Sequence, residues 1–404
     1  MIRVRYSTCD PTRIYGSHSG LLRLDTSNLY LQLNYRHDSS LIPLLLLLTL
    51  LYNSGNMALL KGVGDYFALD IGTNAVRVVQ LAPVGTGWAL QHFGYAPLDE
   101  KTAAGSGPEN IRRLGDVIMT AVGQSGIKEK NVVIGLPSSK TFTTVIEIPS
   151  MPEAELKSTL KYQVDQYIPM AANEAKIDWA LLGTSLHDPK QLEVLIASTA
   201  NSYAEERLEF VESLGLNVIA AEPDPLAMVR SLLPDGIPDA RLIIDMGEMS
   251  TDLAITFGGS PRLVRTIPTG LKSLIKAAVQ NLNVQEDQAR QFITKFGLAP
   301  DRLEGQVYRS IESTLENFAT ELTKSIKFFQ TRYPDTPVGG ILLSGFAAVV
   351  PQFGDYVATK TGIKGQLANP WQNVKVSQAD QQQLMSVASE FATVIGLAQR
   401  RNKL

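Results

Sequence analysis

A single cysteine, Cys9, in a chain of 404 residues rules out an intramolecular disulfide and any metal site built on paired thiolates, and suits a reducing compartment. Histidine is sparse too. His18, His37, His92 and His187 are scattered without ligand spacing, so neither a zinc centre nor a Cys/His nucleophile has support, and there is no Gly-x-Ser-x-Gly elbow. No strong excess of either charge is present: a net charge of −3 gives no electrostatic reason to bind nucleic acid or an anionic membrane surface. The first 56 residues hold five Arg and three Asp but no Lys and no Glu, and their apolar run, Leu41 to Tyr52, is twelve residues long and broken by Pro43. A membrane-spanning helix needs about 20 such residues. We expect residues 1–56 to be an extraneous or disordered extension joined to a start at Met57, the other reading being a membrane-associating arm.

What is present is a globular balance, 44% hydrophobic and 19% charged, in a chain too long for one ordinary core. One pattern occurs twice. Asp70-Ile71-Gly72-Thr73-Asn74 follows the apolar residues 66–69, and Asp245-Met246-Gly247-Glu248-Met249-Ser250-Thr251 follows 242–244. Each copy continues with a second apolar stretch, a glycine turn (Gly85 to Gly87, then Gly258-Gly259) and a third stretch. Strand, Asp-x-Gly turn, strand, turn, strand, repeated half a chain apart, predicts an α/β fold made of two related halves closing on one ligand. A tight turn carrying Gly and Ser/Thr lets successive backbone N–H groups point at one phosphate, while the Asp before it can hold a hydrated divalent cation. Asp70 and Asp245 are therefore candidate metal ligands, and Gly72, Thr73, Asn74, Gly247, Ser250 and Thr251 candidate phosphate contacts. A carboxylate that merely stabilises its own turn is the competing reading.

Periodicity supplies the frame around these turns. Ile111, Leu114, Ile118 and Val122 recur at helical spacing between Pro108 and Ser125, and a strand pattern follows from Asn131 to Leu136. A block from 140 to 195 then interrupts the first half, with a strand at 143–148, an amphipathic helix at 153–167 and strands at 176–182 and 192–196. The first half resumes at 196–238 with a helix at 203–214, a strand at 217–221 and a helix entered through Pro223-Asp224-Pro225, and Pro234 to Pro238 reads as the junction. The second half, 239–404, shows two long helical patterns at 271–282 and 307–333, a strand at 340–344, a helix beginning near Pro351 and the return of a final C-terminal helix at 390–400.

Several segments carry a family resemblance. The paired hairpins resemble the phosphate loops of the actin and sugar-kinase superfamily. Phe67 to Gly72, Gly135-Leu136-Pro137-Ser138, Ile148 to Leu156, Tyr162-Gln163-Val164 through Tyr167-Ile168-Pro169, and Glu222-Pro223 resemble the PilM family of type IV pilus assembly over nearly the whole chain after residue 56. The resemblance implies a duplicated actin-like ATPase fold of two lobes with a small inserted subdomain, ATP and Mg2+ as ligands, and weak or no ATPase activity. It also implies a cytoplasmic place at the inner face of the membrane, reached only through partners: the cytoplasmic tail of PilN, other inner-membrane pilus proteins, and self-association. Glu222 resembles a residue that positions a hydrolytic water, although alone it also reads as a helix cap. Glu321 and Lys324 resemble contacts to the nucleotide sugar, or else form a solvated ion pair one helical turn apart. Gly270 and the Ser344-Gly345 turn complete the nucleotide set, departing from the family's usual double glycines through Thr269-Gly270 and Ser344-Gly345-Phe346. For the peptide tail the resemblance implies a groove between insertion and first lobe near Thr159, Tyr162, Gln163 and Gln166. The alternatives are an FtsA-like cell-division protein, which would end in a membrane-binding helix, and a small-molecule kinase, which would need a catalytic base near the first hairpin.

Overall fold

Three sheets organise the computed structural model, which describes residues 65–400 apart from 106, 235, 385 and 386; the extension 1–56, its apolar run and Met57 lie outside the described residues. The chain opens with a meander of β1 (Phe67–Ile71), β2 (Ala75–Val84) and β3 (Gly87–Pro97), and β4 (Asn131–Leu136) then lies parallel to β1. β5 (Thr141–Pro149), β6 (Ala175–Thr184) and β7 (Gln191–Ala200) form a separate antiparallel sheet in the order β5-β7-β6. β8 (Asn217–Pro223) returns beside β4. A second meander follows, β9 (Ala240–Met246), β10 (Thr251–Phe257) and β11 (Ser260–Ile267), and β12 (Val338–Gly345) and β13 (Gly365–Leu367) add to it in parallel. Finally β14 (Val374–Lys375) crosses back to the edge of the first sheet at β3.

The strand orders are β14-β3-β2-β1-β4-β8 and β11-β10-β9-β12-β13. Apart from β14 they are the same sheet built twice. β1 and β9 are central and buried on both faces, which is why they read as continuous apolar runs rather than alternating ones. Register puts Asp70 opposite Arg77 and Asp245 opposite Asp252. The parallel pairs bring the C-terminal ends of β1, β4 and β8, and of β9 and β12, to one side of each sheet, the usual place for a ligand in open α/β sheets.

Helices fill the faces. Pro108–Ser125 and Asn201–Ser213 cover one face of the first sheet, while Val394, Ile395 and Leu397 of the last helix, Ala392–Ala398, bury against Ala68, Val79 and Val133 on the other. Leu271–Leu282 and Gln306–Arg332 cover the second sheet, the latter through Ile311, Leu315, Phe318, Leu322, Ile326 and Phe329. The helix Asp224–Leu232 serves both sheets: Ala227 joins the first core, and Met228, Val229 and Leu232 meet Ile243, Ala254 and Leu342 of the second.

Three elements differ from the sequence reading. The helix expected over 153–167 stops at Gln163 and tightens into a 3-10 turn, Val164–Gln166. A helix not expected, Glu286–Phe296, buries only Ala289 and Ile293 and starts with a capping box of Gln285 and Gln288, too small an apolar stripe to stand out in the sequence. The final helix, expected over 390–400, begins as a 3-10 turn, Ala388–Phe391, and continues as Ala392–Ala398 in the core of the first sheet. Among the described residues no helix is long and apolar enough to cross a membrane.

Candidate functional site

The two Asp-x-Gly turns close identically. Gly72 N donates to Ala75 O at 3.1 Å, and Gly247 N donates to Ser250 O at 2.8 Å. Around the first, Leu98 N donates to Asn74 O (2.8 Å), tying the start of the helix Glu100–Ala104 to the turn. Around the second, Leu271 N and Lys272 N donate to Gly247 O and Glu248 O, so the N-terminus of helix Leu271–Leu282 sits on the turn. Gly270 permits this. A β-carbon there would lie 2.6 Å from Ser250 N, closer than packed atoms approach. The Thr251 hydroxyl donates to Thr269 O at 2.6 Å and fixes the same junction.

The charges differ between the copies. Arg77 is buried, donates to Asp70 at 3.3 Å and to Asn74 Oδ1 at 3.0 Å, and forms an ion pair with Glu390. Asn74 Nδ2 also donates to Glu390, at 3.0 Å. In the second copy the position of Arg77 is taken by Asp252, whose carboxylate accepts from Ser138 Oγ (2.6 Å) and Thr266 Oγ1 (2.8 Å). Asp245 is left facing another acid. Burial first, then repulsion from Asp252, pushes its carboxyl up to about 7. Asp224 is raised well above the usual carboxylate range by burial and by repulsion from Asp70, Asp252 and Asp245, and its Oδ1 is buried without a hydrogen-bond partner among the described residues. Asp70 is raised by burial against the opposing pull of Arg77, and Asp252 by burial.

Asp70, Asp224, Asp245 and Asp252 thus lie within electrostatic reach of one another at the ends of the two large sheets. Such a cluster demands a cation or protons, because unpaired buried carboxylates are costly. Among the described residues no group of three or more acidic, His or Cys side chains could by itself hold a metal ion. The orphaned Asp224 Oδ1 is an acceptor with nothing yet donating to it.

Of the residues singled out from sequence, the structure brings together Asp70, Gly72, Thr73 and Asn74 on the first turn, and Asp245, Gly247, Ser250, Thr251 and Gly270 on the second. Ser344 and Gly345 join them, since β12 pairs Ser344 with Asp245 and Gly345 with Met246. Gly345 is held at φ 59°, where a side chain would be strained, and a β-carbon would strike Met246 O. Glu321 and Lys324 stand apart on the outer face of the long helix, where Lys324 meets Glu321 at 2.7 Å and Arg265 lies 3.7 Å from Glu321. Glu222 is turned away from the carboxylate cluster to Arg230 and to Arg400, the latter at 3.4 Å. Its place at the cleft is taken by Asp224, which the sequence offered only as an acidic first turn between two prolines. Asp252, a charge inside the apolar run of the second hairpin, was the other visible signal, and Arg290, which pairs with Glu248 of the second turn, came from the helix that the periodicity missed.

A second concave region lies between the inserted sheet and the first. One part, ≈ 380 Å³, is walled by Lys176 and Asp178 of β6, Ala197 and Thr199 of β7 and Leu208 of helix Asn201–Ser213. It continues past Ala221 and Pro223 into a wider part of ≈ 700 Å³ that holds Trp88, Trp179, Glu222, Arg230 and Arg400. Strand alternation decides which side chains face it: Leu195, Ala197 and Thr199 point into it, while Val194 and Ile196 pack on Leu156, Leu160 and Val164. The helix Glu153–Gln163 is therefore on the opposite face. Thr159, Tyr162, Gln163 and Gln166 belong to that helix and the turn after it, and of these Thr159, Gln163 and Gln166 do not line the groove.

A family model described as type IV pilus assembly protein PilM matches residues 68–402. Among solved structures the chain is similar to one described as the PilM–PilN type IV pilus biogenesis complex, at 23% identity and a TM-score of 0.71 over 83% of this chain and 98% of that one. It is also similar to the ethanolamine utilization protein EutJ from Carboxydothermus hydrogenoformans (16% identity, TM-score 0.47, 89% and 99% covered) and to MreB 5 of Spiroplasma citri bound to AMPPNP (11%, 0.48, 83% and 95%). Of the three, the first alone is near enough in shape to speak for the fold. With two sheets of one topology joined at their Asp-x-Gly turns, and the family model spanning both, this chain has the actin-like fold and belongs to the PilM family of type IV pilus assembly proteins.

Proposed function

We propose that the protein is an ATP-binding scaffold at the cytoplasmic face of the membrane that takes up the cytoplasmic tail of PilN, with Mg2+ and ATP between the two large sheets. The proposed division is a first lobe from 57–139 and 196–238, the inserted subdomain 140–195, and a second lobe from 239 onward. The observation that carries the nucleotide reading is the four-carboxylate cleft flanked by two turns of one geometry. Asp245, Asp224 and Asp70 are the residues that would hold a hydrated cation, Asp70 being kept in place by Arg77. The two turns and the Ser344-Gly345 segment orient the phosphates and the nucleoside. When bound, the cation offsets the negative charge of phosphate and carboxylates alike. Glu222 faces Arg230 and Arg400 rather than the other acids, which leaves Asp224 to orient a water there, and in this reading nucleotide acts as a conformational ligand with weak or no turnover.

The partner reading rests on the groove beneath the inserted sheet. β6 is an edge strand of its sheet, able to pair with an extended peptide, and the groove floor alternates apolar side chains with the Glu222–Arg230–Arg400 cluster. The similar structure is described as a complex of PilM with PilN. The test is titration of a labelled PilN tail peptide against wild type, Leu208→Asp in the groove wall, and Gln163→Ala and Thr159→Ala on the far helix. Leu208→Asp is expected to lose at least about tenfold in affinity, or ~1.4 kcal/mol, with the helix variants unchanged. The reverse pattern would return the site to Thr159, Tyr162, Gln163 and Gln166.

A further inference from the structure

At the other edge of the inserted sheet, beyond Leu195 of the groove just described, β5 comes close to β11. β5 pairs only with β7, and β11 only with β10, and Cα atoms of the two strands approach within 8 Å without a shared ladder. A cavity of ≈ 420 Å³ lies between them, lined by Val145, Leu195, Leu263, Phe328, Arg265 and Arg332.

Two observations say what fits there. Phe328 is 58% exposed, although its neighbour Phe329 is fully buried in the second core; a whole phenyl ring stands in water at the rim. The charge around it runs against that of the chain. Lys324, Phe328 and Arg332 fall at successive i, i+4 positions and form one stripe of the long helix. Arg332 donates to Val145 O at 2.7 Å, lies over the Tyr333 ring and has no carboxylate partner among the described residues. Arg265 and Lys324 share the single carboxylate of Glu321. Only Arg262 is fully matched, by the buried Glu193. Four cations thus face two carboxylates in a protein whose net charge is −3. Glu147, opposite Glu193 in register, accepts from Ser185 and does not line the cavity.

We propose that this strip, at the β5 edge rather than the β6 edge of the inserted sheet, is a second docking site for an acidic segment of a partner protein that lies across β5 and β11 and sets an apolar or aromatic anchor beside Phe328. The apolar lining of Val145, Leu195 and Leu263 beside unmatched cations favours an acidic polypeptide with apolar side chains over a small inorganic anion. Arg265 and Arg332 then gain the carboxylates they lack.

The probe is a fluorescein-labelled seven-residue peptide alternating Glu with Phe and Val, titrated against the full chain by fluorescence anisotropy, with a peptide carrying Lys in place of Glu as control. The acidic peptide is expected to bind, to weaken as salt is raised, and to lose at least about tenfold with Phe328→Ser and with Arg332→Glu. Phe328→Ser alters an exposed side chain and leaves the core intact, so it remains informative if Arg332→Glu folds poorly. No binding, equal binding of the Lys peptide, or equal affinity in Phe328→Ser overturns the proposal. So does either of two other occupants: flotation with phosphatidylglycerol vesicles that depends on Phe328, or dimerisation of the chain that Phe328→Ser abolishes.

Discussion

The two hairpins share a backbone and differ in charge. In the first, Asp70 faces Arg77, which also holds Asn74 and Glu390. In the second, the same register sets Asp245 against Asp252. Duplicated geometry therefore does not mean duplicated work. The first turn has its charge neutralised from within the protein and behaves as a fixed wall; the second keeps surplus negative charge and waits for a cation. A symmetric reading of the sequence gives Asp70 and Asp245 equal roles, and the residues across from them remove that equality.

The comparison breaks most severely at Arg77. Arg77→Ala leaves Asp70 and Glu390 buried without their cation, and loss of one partner of a buried pair costs about 3–5 kcal/mol; urea unfolding is expected to show a loss of this size. A change below about 1 kcal/mol would mean that the first hairpin is not held by this network. A smaller effect distinguishes the acids. Asp245→Asn is expected to weaken Mg·ATP binding by ~1.5–3 kcal/mol in calorimetric titration without destabilising the apo protein, whereas Asp70→Asn is expected to cost stability and less affinity. The pH dependence carries the same contrast. The folded-state value for Asp245, about 7, lies above the ordinary 3.8, so the folded protein holds a proton that the unfolded chain releases. Its contribution then lowers apo stability as pH rises from about 4 toward 7, while cation affinity rises over that window and levels off above it. In Asp245→Asn both trends shrink. Identical pH profiles for wild type and variant would place the surplus charge elsewhere, Asp224 being next in line.

The least effect is expected at Glu321 and Lys324. An exposed pair one helical turn apart contributes about 0–1 kcal/mol, and both side chains lie on the outer face of the long helix. Glu321→Ala and Lys324→Ala are expected to leave ATP affinity within about twofold, which is under ~0.5 kcal/mol. A tenfold loss in either would restore their role at the nucleotide sugar.

How far the sequence carried can be judged from these same residues. The duplicated hairpins, the helices Pro108–Ser125 and Leu271–Leu282 and the position of the insertion were legible because each depends on a local pattern, alternation or a 3.6-residue stripe between turn signals. Asp224 and Asp252 were not read as site residues. One looked like a first-turn acid of a helix, and the other was a charge in an apolar strand, whose meaning depends on the register with Asp245 and on Ser138 far away in sequence. Arg77 was one charge within the second apolar stretch with nothing local to single it out; its partner Glu390 is 313 positions further on. Glu222 failed for the opposite reason. It stood in a family-like dipeptide, and only its partners in the fold show the difference: Glu222, near the end of β8, pairs with Arg230 and Arg400, while Asp224, the first residue of the next helix, meets the other acids.

The return of the chain's end to its beginning affects how such a protein is made. The first sheet takes its outermost strand from Val374-Lys375 and much of one buried face from Phe391 to Ala398, segments that leave the ribosome after the other strands of both large sheets. Until then Ala68, Val79 and Val133 have no cover and Arg77 lacks one of its two carboxylates, so the nascent N-terminal half is an open sheet with an apolar back. Contacts of such sequence separation form late and slowly. A stop codon a dozen residues early is thus not a trimming of the tail but the loss of a wall of the first-built half, and quality control in the cell would meet the truncated chain as unfinished at its front end.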